Sequence, residues 1–221
     1  MSQTKTSKAW LRRHVTDPWV QKSKAEGFRA RSAYKLKQID EKEKILARGQ
    51  FVVDLGAAPG GWSQVAAQAV GPSGAVLALD LLEMEPIPGV RFIQGDFETE
   101  EVLREITSAL GGRPVDLVLS DMAPNFTGIG AVDQARTAGL AELAMEFAEQ
   151  VLAPNGAIVL KVFHGVGFDD LLKRLRSRFV KVAVRKPDAS RKESSETYFV
   201  ARGLRDPRPA RGNELGLESD Q

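Results

Sequence analysis

The sequence contains no cysteine, only two histidines, and no apolar stretch long enough to cross a membrane. The absence of cysteine excludes disulfides, cysteine-ligated zinc or iron–sulfur centres and a thiol nucleophile. Neither His14 nor His164 has a metal-ligating partner at a useful spacing, so we expect no metal site. The polar, basic start of the chain lacks the apolar core of a signal peptide. We therefore expect a cytoplasmic protein that does not enter a membrane.

Charge is strongly segregated along the 221 residues, although the formal net charge is only +2. Residues 1–48 hold 13 basic and 5 acidic side chains, residues 49–172 hold 5 and 17, and residues 173–211 hold 13 and 4. Two basic flanks that meet on one face suit a polyanion-binding protein, because phosphate contacts supply most non-specific affinity for nucleic acids. Solvated charged helices would give the same pattern, so charge alone leaves both interpretations open.

Short apolar runs alternate with helical patterns through most of the chain. The predicted strands are Phe51–Leu55, Ala75–Asp80, Val90–Ile93, Val115–Ser120, Ala157–Phe163, Val180–Arg185 and Thr197–Ala201. The predicted helices are Ser32–Glu43, Trp62–Val70, Glu98–Leu110, Gln134–Leu152 and Phe168–Phe179. This alternation predicts an α/β fold with an open, doubly wound and mostly parallel sheet.

The first predicted strand runs into Asp54–Trp62 (DLGAAPGGW), the position at which such sheets bind nucleotide-like ligands. Glycines such as Gly56 and Gly60 let the backbone approach a ligand closely. A dinucleotide-binding loop would read G-x-G-x-x-G, but Ala58 and Pro59 interrupt that spacing, which disfavours a pyrophosphate site. A glycine turn used only for tight packing is the alternative.

Two acids follow at later strand ends. Asp80 closes the second strand, where a carboxylate can hold the ribose hydroxyls of an adenosine, and Asp96 after the third strand suits the adenine edge. Residues 49–113 contain only three cationic side chains, all arginines. A pocket for adenosine without phosphate-binding cations favours S-adenosylmethionine over NAD or ATP.

Five motifs stand in order along the chain: SAYKL, DLGAAPGGWSQ, LSDMAPN, LKVF and SSETYFVA. From about Ser7 to Ala201 the chain resembles the FtsJ/RrmJ-type ribose 2′-O-methyltransferases, specifically the bacterial branch that acts on large-subunit (23S) ribosomal RNA, and the motifs show no departure. The resemblance implies a Rossmann-like methyltransferase fold with seven strands, the last antiparallel, and S-adenosyl-L-methionine as cofactor. It also implies a uridine in the peptidyl-transferase region as target, late in assembly of the large ribosomal subunit.

The resemblance carries functional residues onto this chain one by one. The implied catalytic tetrad is Lys35 in SAYKL, Asp121 in LSDMAPN, Lys161 in LKVF and Glu196 in SSETYFVA. The implied cofactor-binding residues are Gly60, Trp62, Asp80, Asp96 and Asp121, to which the loop argument adds Gly56. Without the resemblance, Lys35 and Glu196 would be interpreted as a solvated helix lysine and a surface glutamate.

Lys161 also suits methyl transfer to a ribose hydroxyl when the family resemblance is set aside. A ribose 2′-hydroxyl is a very weak acid, so a group must take or steer its proton while the methyl group is transferred. An ammonium group within the apolar run of Leu160 and Val162 is destabilised, which favours proton uptake by its neutral form. Asp121, at a neighbouring strand end, can orient Lys161. The alternatives are a lysine that reaches solvent and an aspartate that starts a turn.

We expect three regions: a basic N-terminal helical extension (residues 1–48), a methyltransferase domain (49–203) and a polar tail (204–221). The candidate RNA-binding residues are Arg12, Arg13, Lys22, Lys24, Arg29, Arg31 and Lys37. They are interleaved with aromatic rings that could stack on a splayed base, although packing against the domain is the commoner role of such rings. We expect a monomer that binds 23S rRNA within the large subunit.

Three other functions remain open at this point. A relative that methylates transfer RNA or an mRNA cap would use the same tetrad with a different binding surface. A non-catalytic RNA-binding protein is disfavoured because all four tetrad positions are filled. A small-molecule methyltransferase would have little use for two basic flanks.

Overall fold

The computed structural model describes residues 16–124, 128, 130–191 and 193–205, and its centre is one seven-stranded sheet. The strands are β1 (Phe51–Leu55), β2 (Ala75–Asp80), β3 (Val90–Gln94), β4 (Val115–Ser120), β5 (Leu152–Phe163), β6 (Phe179–Arg185) and β7 (Glu196–Leu204). Their order across the sheet is β3-β2-β1-β4-β5-β7-β6. Strand β7 is antiparallel to both neighbours, and the other pairs are parallel. The predicted α/β fold, with seven strands and the last antiparallel, is confirmed.

Helices cover both faces of the sheet. They are α1 (Pro18–Ala25), α2 (Ala33–Glu43), α3 (Gly61–Val70), α4 (Glu100–Leu110), α5 (Gly130–Val151) and α6 (Phe168–Arg178). On one face, Leu36 of α2 belongs to the same buried cluster as Val159 of β5. On the other face, Leu175 of α6 belongs to the cluster that contains Leu160. Neighbouring β5 residues thus serve opposite layers, as the two-residue period of a strand requires.

Several boundaries differ from the sequence prediction. Strand β5 begins at Leu152, which was predicted to end a helix, because Leu152 pairs with Val115 before the register shifts and pairing resumes at Ala157. Helix α5 begins at Gly130, four residues before the predicted start. Helix α1 lies within the predicted N-terminal helical extension, but its bounds were not predicted. Among the described helices, none is long and apolar enough to cross a membrane.

The strand order reverses between β1 and β4, which opens a crevice at the carboxyl ends of the strands. Backbone hydrogen bonds hold these ends together: the Gly56 N–H donates to the Leu79 carbonyl (2.9 Å), and the Asp121 N–H donates to the Leu55 carbonyl (3.1 Å). The carboxyl ends of β1, β2 and β4 therefore meet where the sequence predicts a ligand site.

Candidate active site

The turn after β1 is closely packed against the end of β4. Gly56 has φ +77°, and a Cβ atom on it would lie 2.8 Å from both the Met122 backbone nitrogen and its Cγ. Asp80 fixes the turn from the β2 side, since its carboxylate accepts hydrogen bonds from the N–H groups of Ala58 and Leu82, each at 2.8 Å. The predicted residues Gly56 and Asp80 therefore lie together at the crevice.

The other predicted cofactor residues differ in what they offer to a ligand. Gly60 precedes α3 with φ +110°, and a Cβ atom on it would lie 2.6 Å from Ile87 Cδ1. The indole of Trp62 is buried and donates to the Ser32 carbonyl (2.8 Å), so a ligand contact by Trp62 would use its backbone N–H. Asp96 follows β3 and accepts a hydrogen bond from the Glu98 N–H (3.0 Å).

Asp54, the first residue of the glycine motif, is fully buried. The pKa of this carboxyl is raised to about 7: burial is the largest cause, hydrogen bonding with Ser63 opposes it, and the charges of Asp121 and Asp80 add to the rise. The Ser63 hydroxyl donates to Asp54 Oδ2 (2.6 Å), whereas Oδ1 has no hydrogen-bond partner among the described residues. Three neighbouring acids, one of them incompletely paired, suit a positively charged ligand.

The four predicted catalytic residues come from four separate parts of the chain: α2, the end of β4, β5 and the start of β7. Lys161 Nζ lies 3.2 Å from Asp121 Oδ1 and also donates to the Asp121 carbonyl. Lys35 Nζ lies 2.7 Å and 2.9 Å from the two carboxylate oxygens of Glu196. The structure thus brings all four together as two lysine–carboxylate pairs, mostly shielded from solvent.

Tyr198, which sequence reasoning missed, connects the two pairs. Its hydroxyl lies 2.9 Å from Asp121 Oδ1 and 3.0 Å from Glu196 Oε1. Tyr198 also stands directly opposite Lys161 in the β5–β7 register. Burial, followed by the charges of Asp121 and Glu196, raises the pKa of Tyr198 well above its usual value, so the hydroxyl stays protonated and donates. The four charged groups therefore form one network.

Glu196 stays ionised in spite of its burial. Burial by itself opposes ionisation, but the charge and hydrogen bond of Lys35, a hydrogen bond from Ser190 and the charge of Lys161 outweigh it and hold the pKa of Glu196 below its usual value. The Ser190 hydroxyl donates to Glu196 Oε1 at 2.7 Å. A negative Glu196 keeps the Lys35 ammonium fixed beside the other pair.

The candidate RNA-binding residues fall into three groups. Arg12 and Arg13 lie outside the described residues. Arg29 donates to the carbonyls of Pro59, Glu85 and Pro86, and Arg31 contacts Asp17 and the Ala189 carbonyl, so both guanidinium groups are engaged within the protein. Lys22 and Lys24 are exposed, and Lys37 is partly exposed. Lys22 and Lys37 form ion pairs with Glu26 at 3.8 Å and 3.6 Å.

Comparison with known proteins settles the family. A sequence profile described as FtsJ-like methyltransferase matches residues 28–204. The chain belongs to the FtsJ-like methyltransferase family. The ribosomal RNA large subunit methyltransferase E of Dechloromonas aromatica (strain RCB) is 56% identical over 205 residues, which cover 93% of this chain and 100% of that protein. The resemblance recognised from the motifs is confirmed.

Two further relatives support the same family. The ribosomal RNA large subunit methyltransferase E of Methylobacillus flagellatus is 54% identical over 200 residues, covering 90% of this chain and 97% of that protein. A crystal structure from Plasmodium falciparum, assigned as a ribosomal RNA methyltransferase, matches with a TM-score of 0.72 and 28% identity over 80% of this chain and 98% of its own.

The methyl donor of this FtsJ-like methyltransferase is S-adenosylmethionine, and the crevice fits it. Asp80 lies where the ribose hydroxyls would be held, and the exposed apolar side chains of Leu81 and Leu82 follow it directly in the chain. The incompletely paired Asp54 and its acidic neighbours suit the positive charges of the donor. Within the described ranges, no cluster of three or more acids and histidines is arranged to hold a metal ion.

Proposed function

We propose that this methyltransferase modifies the 2′-hydroxyl of a ribose in 23S ribosomal RNA. The observation that carries the proposal is the shielded network of Lys35, Asp121, Lys161 and Glu196 around Tyr198, next to the glycine turn. Transfer to a ribose oxygen needs a group that takes up a hydroxyl proton, and the network offers amine and carboxylate groups for that task. The names of the two bacterial relatives support large-subunit ribosomal RNA as the substrate.

In the proposed mechanism Lys161 and Asp121 act as a unit on the target hydroxyl. S-adenosylmethionine supplies an electrophilic methyl group on its sulfonium sulfur. Lys161, held by the Asp121 carboxylate and carbonyl, steers the 2′-hydroxyl. The pair takes up the hydroxyl proton as the oxygen–carbon bond forms and the carbon–sulfur bond breaks, which leaves the sulfur as a neutral thioether. Lys35, held by Glu196, contacts the hydroxyl or an adjacent phosphate. Tyr198 keeps the two carboxylates in a common arrangement.

The test is methyl incorporation from labelled S-adenosylmethionine into isolated large ribosomal subunits, free 23S rRNA and transfer RNA. We expect incorporation into the subunit or its RNA, and we expect the label in a dinucleotide that resists alkaline hydrolysis because its 2′-oxygen is methylated. Mapping the product would test the proposed uridine of the peptidyl-transferase region. Label on a base, or on transfer RNA alone, would contradict the proposal.

We predict that Lys161→Ala reduces kcat at least about 100-fold, the lower range for loss of a general acid or base. S-adenosylmethionine affinity, measured by calorimetry, should stay near that of the wild type, because the glycine turn and Asp80 are unchanged. Lys42→Ala is the matched control, since Lys42 is an exposed lysine near the end of α2. Retention of kcat within a few-fold of the wild type would refute the role of Lys161.

We also propose the cytoplasm as the place of action and a monomer as the working form.

A further inference from the structure

The connection between β6 and β7 is anchored to α2 and to the segment before it. Ala189 is completely buried in this connection. Its N–H donates to the Gln38 side-chain oxygen of α2 (3.0 Å), and its carbonyl accepts a hydrogen bond from the Arg31 guanidinium. The Ala189 peptide is therefore fixed on both sides by residues that lie more than 150 positions earlier in the chain.

The anchored peptide positions Ser190, the next residue. Ser190 is buried, and its N–H donates to the Pro187 carbonyl (2.9 Å), which closes the turn. Its hydroxyl donates to Glu196 Oε1 (2.7 Å), the oxygen that also faces the Lys35 ammonium and the Tyr198 hydroxyl. A small structural turn thus provides one of the hydrogen bonds that hold a catalytic carboxylate.

Arg31 links the Ala189 peptide to the start of α1. One guanidinium nitrogen contacts Asp17 Oδ2, while Asp17 Oδ1 accepts the N–H of Trp19 as the N-cap of that helix. The Arg31 side chain is 16% exposed, so most of its surface is already covered by these partners. A guanidinium group whose two terminal nitrogens already contact other groups of the protein is poorly suited to bind an RNA phosphate.

We infer that Ser190 is a positioning residue for methyl transfer, and that Arg31 determines its position through the Ala189 carbonyl. The inference rests on the proposed function, because it assigns Glu196 to the catalytic network. It gives Arg31 a role different from the RNA contact predicted from sequence. The charged and titratable groups that face Glu196 are Lys35 from α2, Tyr198 from β7, Lys161 from β5 and the Arg31 guanidinium.

Removal of the Ser190 hydroxyl has two expected effects. A buried carboxylate that loses a donor becomes harder to ionise, so the pKa of Glu196 rises. Lys35 is then held less firmly, and kcat falls about 10-fold, as expected for loss of one hydrogen bond to a charged group. Because Glu196 acts as an anion, a higher pKa moves the acid limb of the kcat–pH profile to higher pH.

The experiment compares Ser190→Ala, Ser190→Thr, Arg31→Lys and the double variant Ser190→Ala/Arg31→Lys in the full chain. Ser190→Ala should lower kcat and shift the acid limb without raising KM for RNA, and Ser190→Thr should restore both because it restores a hydroxyl. Arg31→Lys should act in the same direction, since one ammonium group cannot reproduce the two-ended contact with Asp17 and Ala189. The double variant should be no worse than the more impaired single variant.

Controls and a second readout separate this inference from the proposed function. Ser177→Ala removes an exposed helix hydroxyl that donates to the Arg174 carbonyl, away from the Glu196 network, and it should change nothing. Carbon-13 NMR of the glutamate carboxyls, with Glu196→Gln for assignment, should show a higher Glu196 pKa in Ser190→Ala even without substrate.

Two results would overturn the inference: an unchanged Glu196 pKa with unchanged kcat in Ser190→Ala, or a higher KM with a flatter salt dependence in Arg31→Lys at wild-type kcat. A wild-type chain that methylates none of the RNAs would instead contradict the proposed function, and the NMR comparison would still decide whether Ser190 holds Glu196.

Discussion

The hydroxyl of Tyr198 has a single proton and two carboxylates within reach. It can donate fully to only one of Asp121 and Glu196 at a time, so the hydroxyl couples the two lysine–carboxylate pairs. The ring itself is held by Trp62, whose centroid lies 5.6 Å away, and the Lys35 ammonium lies 5.8 Å from the ring centroid. The hydroxyl can therefore be removed without disturbing how the ring packs.

We predict that Tyr198→Phe lowers kcat by roughly 10-fold or more, because buried hydrogen bonds to charged groups contribute about 1.5–3 kcal/mol. The KM for RNA and the affinity for S-adenosylmethionine should change little. Steady-state kinetics of methyl incorporation, with thermal unfolding as a check on stability, would measure this. Wild-type kcat in the phenylalanine variant would show that the bridge between the pairs has no part in the reaction.

At the residue scale, the sequence points to a candidate residue most clearly where a side chain departs from its local pattern. Lys161 interrupts an apolar strand and Asp121 follows one, so both could be selected without relatives. Lys35 and Glu196 lie 161 positions apart in ordinary polar surroundings, and only the family motifs singled them out. Tyr198 was missed. Residues two apart in a strand share a face, so the position of Glu196 could have indicated that the Tyr198 side chain lies beside it.

At the scale of elements, the turn between β1 and α3 packs tightly on the side of the site where S-adenosylmethionine is expected to bind. A Cβ atom on Gly56 would lie 2.8 Å from Met122, and Met122 directly follows Asp121, for which we propose a catalytic role. Two of the three nearest atoms are backbone, so the neighbour cannot turn aside as a flexible side chain would. The turn and the end of β4 therefore hold each other in place.

We predict that Gly56→Ala lowers both stability and S-adenosylmethionine affinity. A non-glycine residue in the left-handed region costs about 1–2 kcal/mol, and the steric overlap with Met122 adds to that cost. Gly89→Ala is the matched control, because Gly89 has φ +79° but nothing within 4 Å of its Cβ position. Denaturant unfolding and calorimetric titration would compare them; equal losses, or unchanged donor affinity in Gly56→Ala, would contradict the prediction.

The elements that sequence predicted best are the buried strands. Three strands, Phe51–Leu55, Ala75–Asp80 and Val115–Ser120, have the predicted bounds, because each is an apolar run bounded by turn residues. The bounds of helix α1 within the helical extension were not predicted, because its eight residues carry no strong apolar stripe, although Asp17 and Pro18 form a usual start signal. The early start of β5 depends on pairing between Leu152 and Val115, which no local pattern reveals.

At the scale of the whole molecule, the charge segregation seen in the sequence remains the main argument for RNA binding. Arg29 and Arg31 are engaged internally, so the exposed Lys22 and Lys24 and the partly exposed Lys37 carry that prediction among the described residues. The ion pair between Lys37 and Glu26 is solvent-exposed, and such pairs contribute little energy, so Lys37 can exchange this partner for a phosphate.

We predict that the double variant Lys24→Ala/Lys37→Ala binds RNA more weakly and with a flatter salt dependence. Each phosphate contact contributes about 0.7–0.9 to the slope of log affinity against log salt, so the slope should fall by roughly 1.5. Arg104→Ala on the acidic helix α4 is the control. A double variant with the wild-type slope, measured by titration of a fluorescent RNA from low to moderate salt, would exclude this face from the interface.

The position of β7 determines when the enzyme can first exist during its own synthesis. This strand is made last but is inserted between β5 and β6, and it brings Glu196 and Tyr198 to a lysine made among the first forty residues. A nascent chain that stops before residue 196 leaves β5 and β6 without their shared neighbour and Lys35 without its carboxylate. If Glu196 and Lys35 have the proposed roles, catalytic competence arrives only after β7 has been made, late in translation.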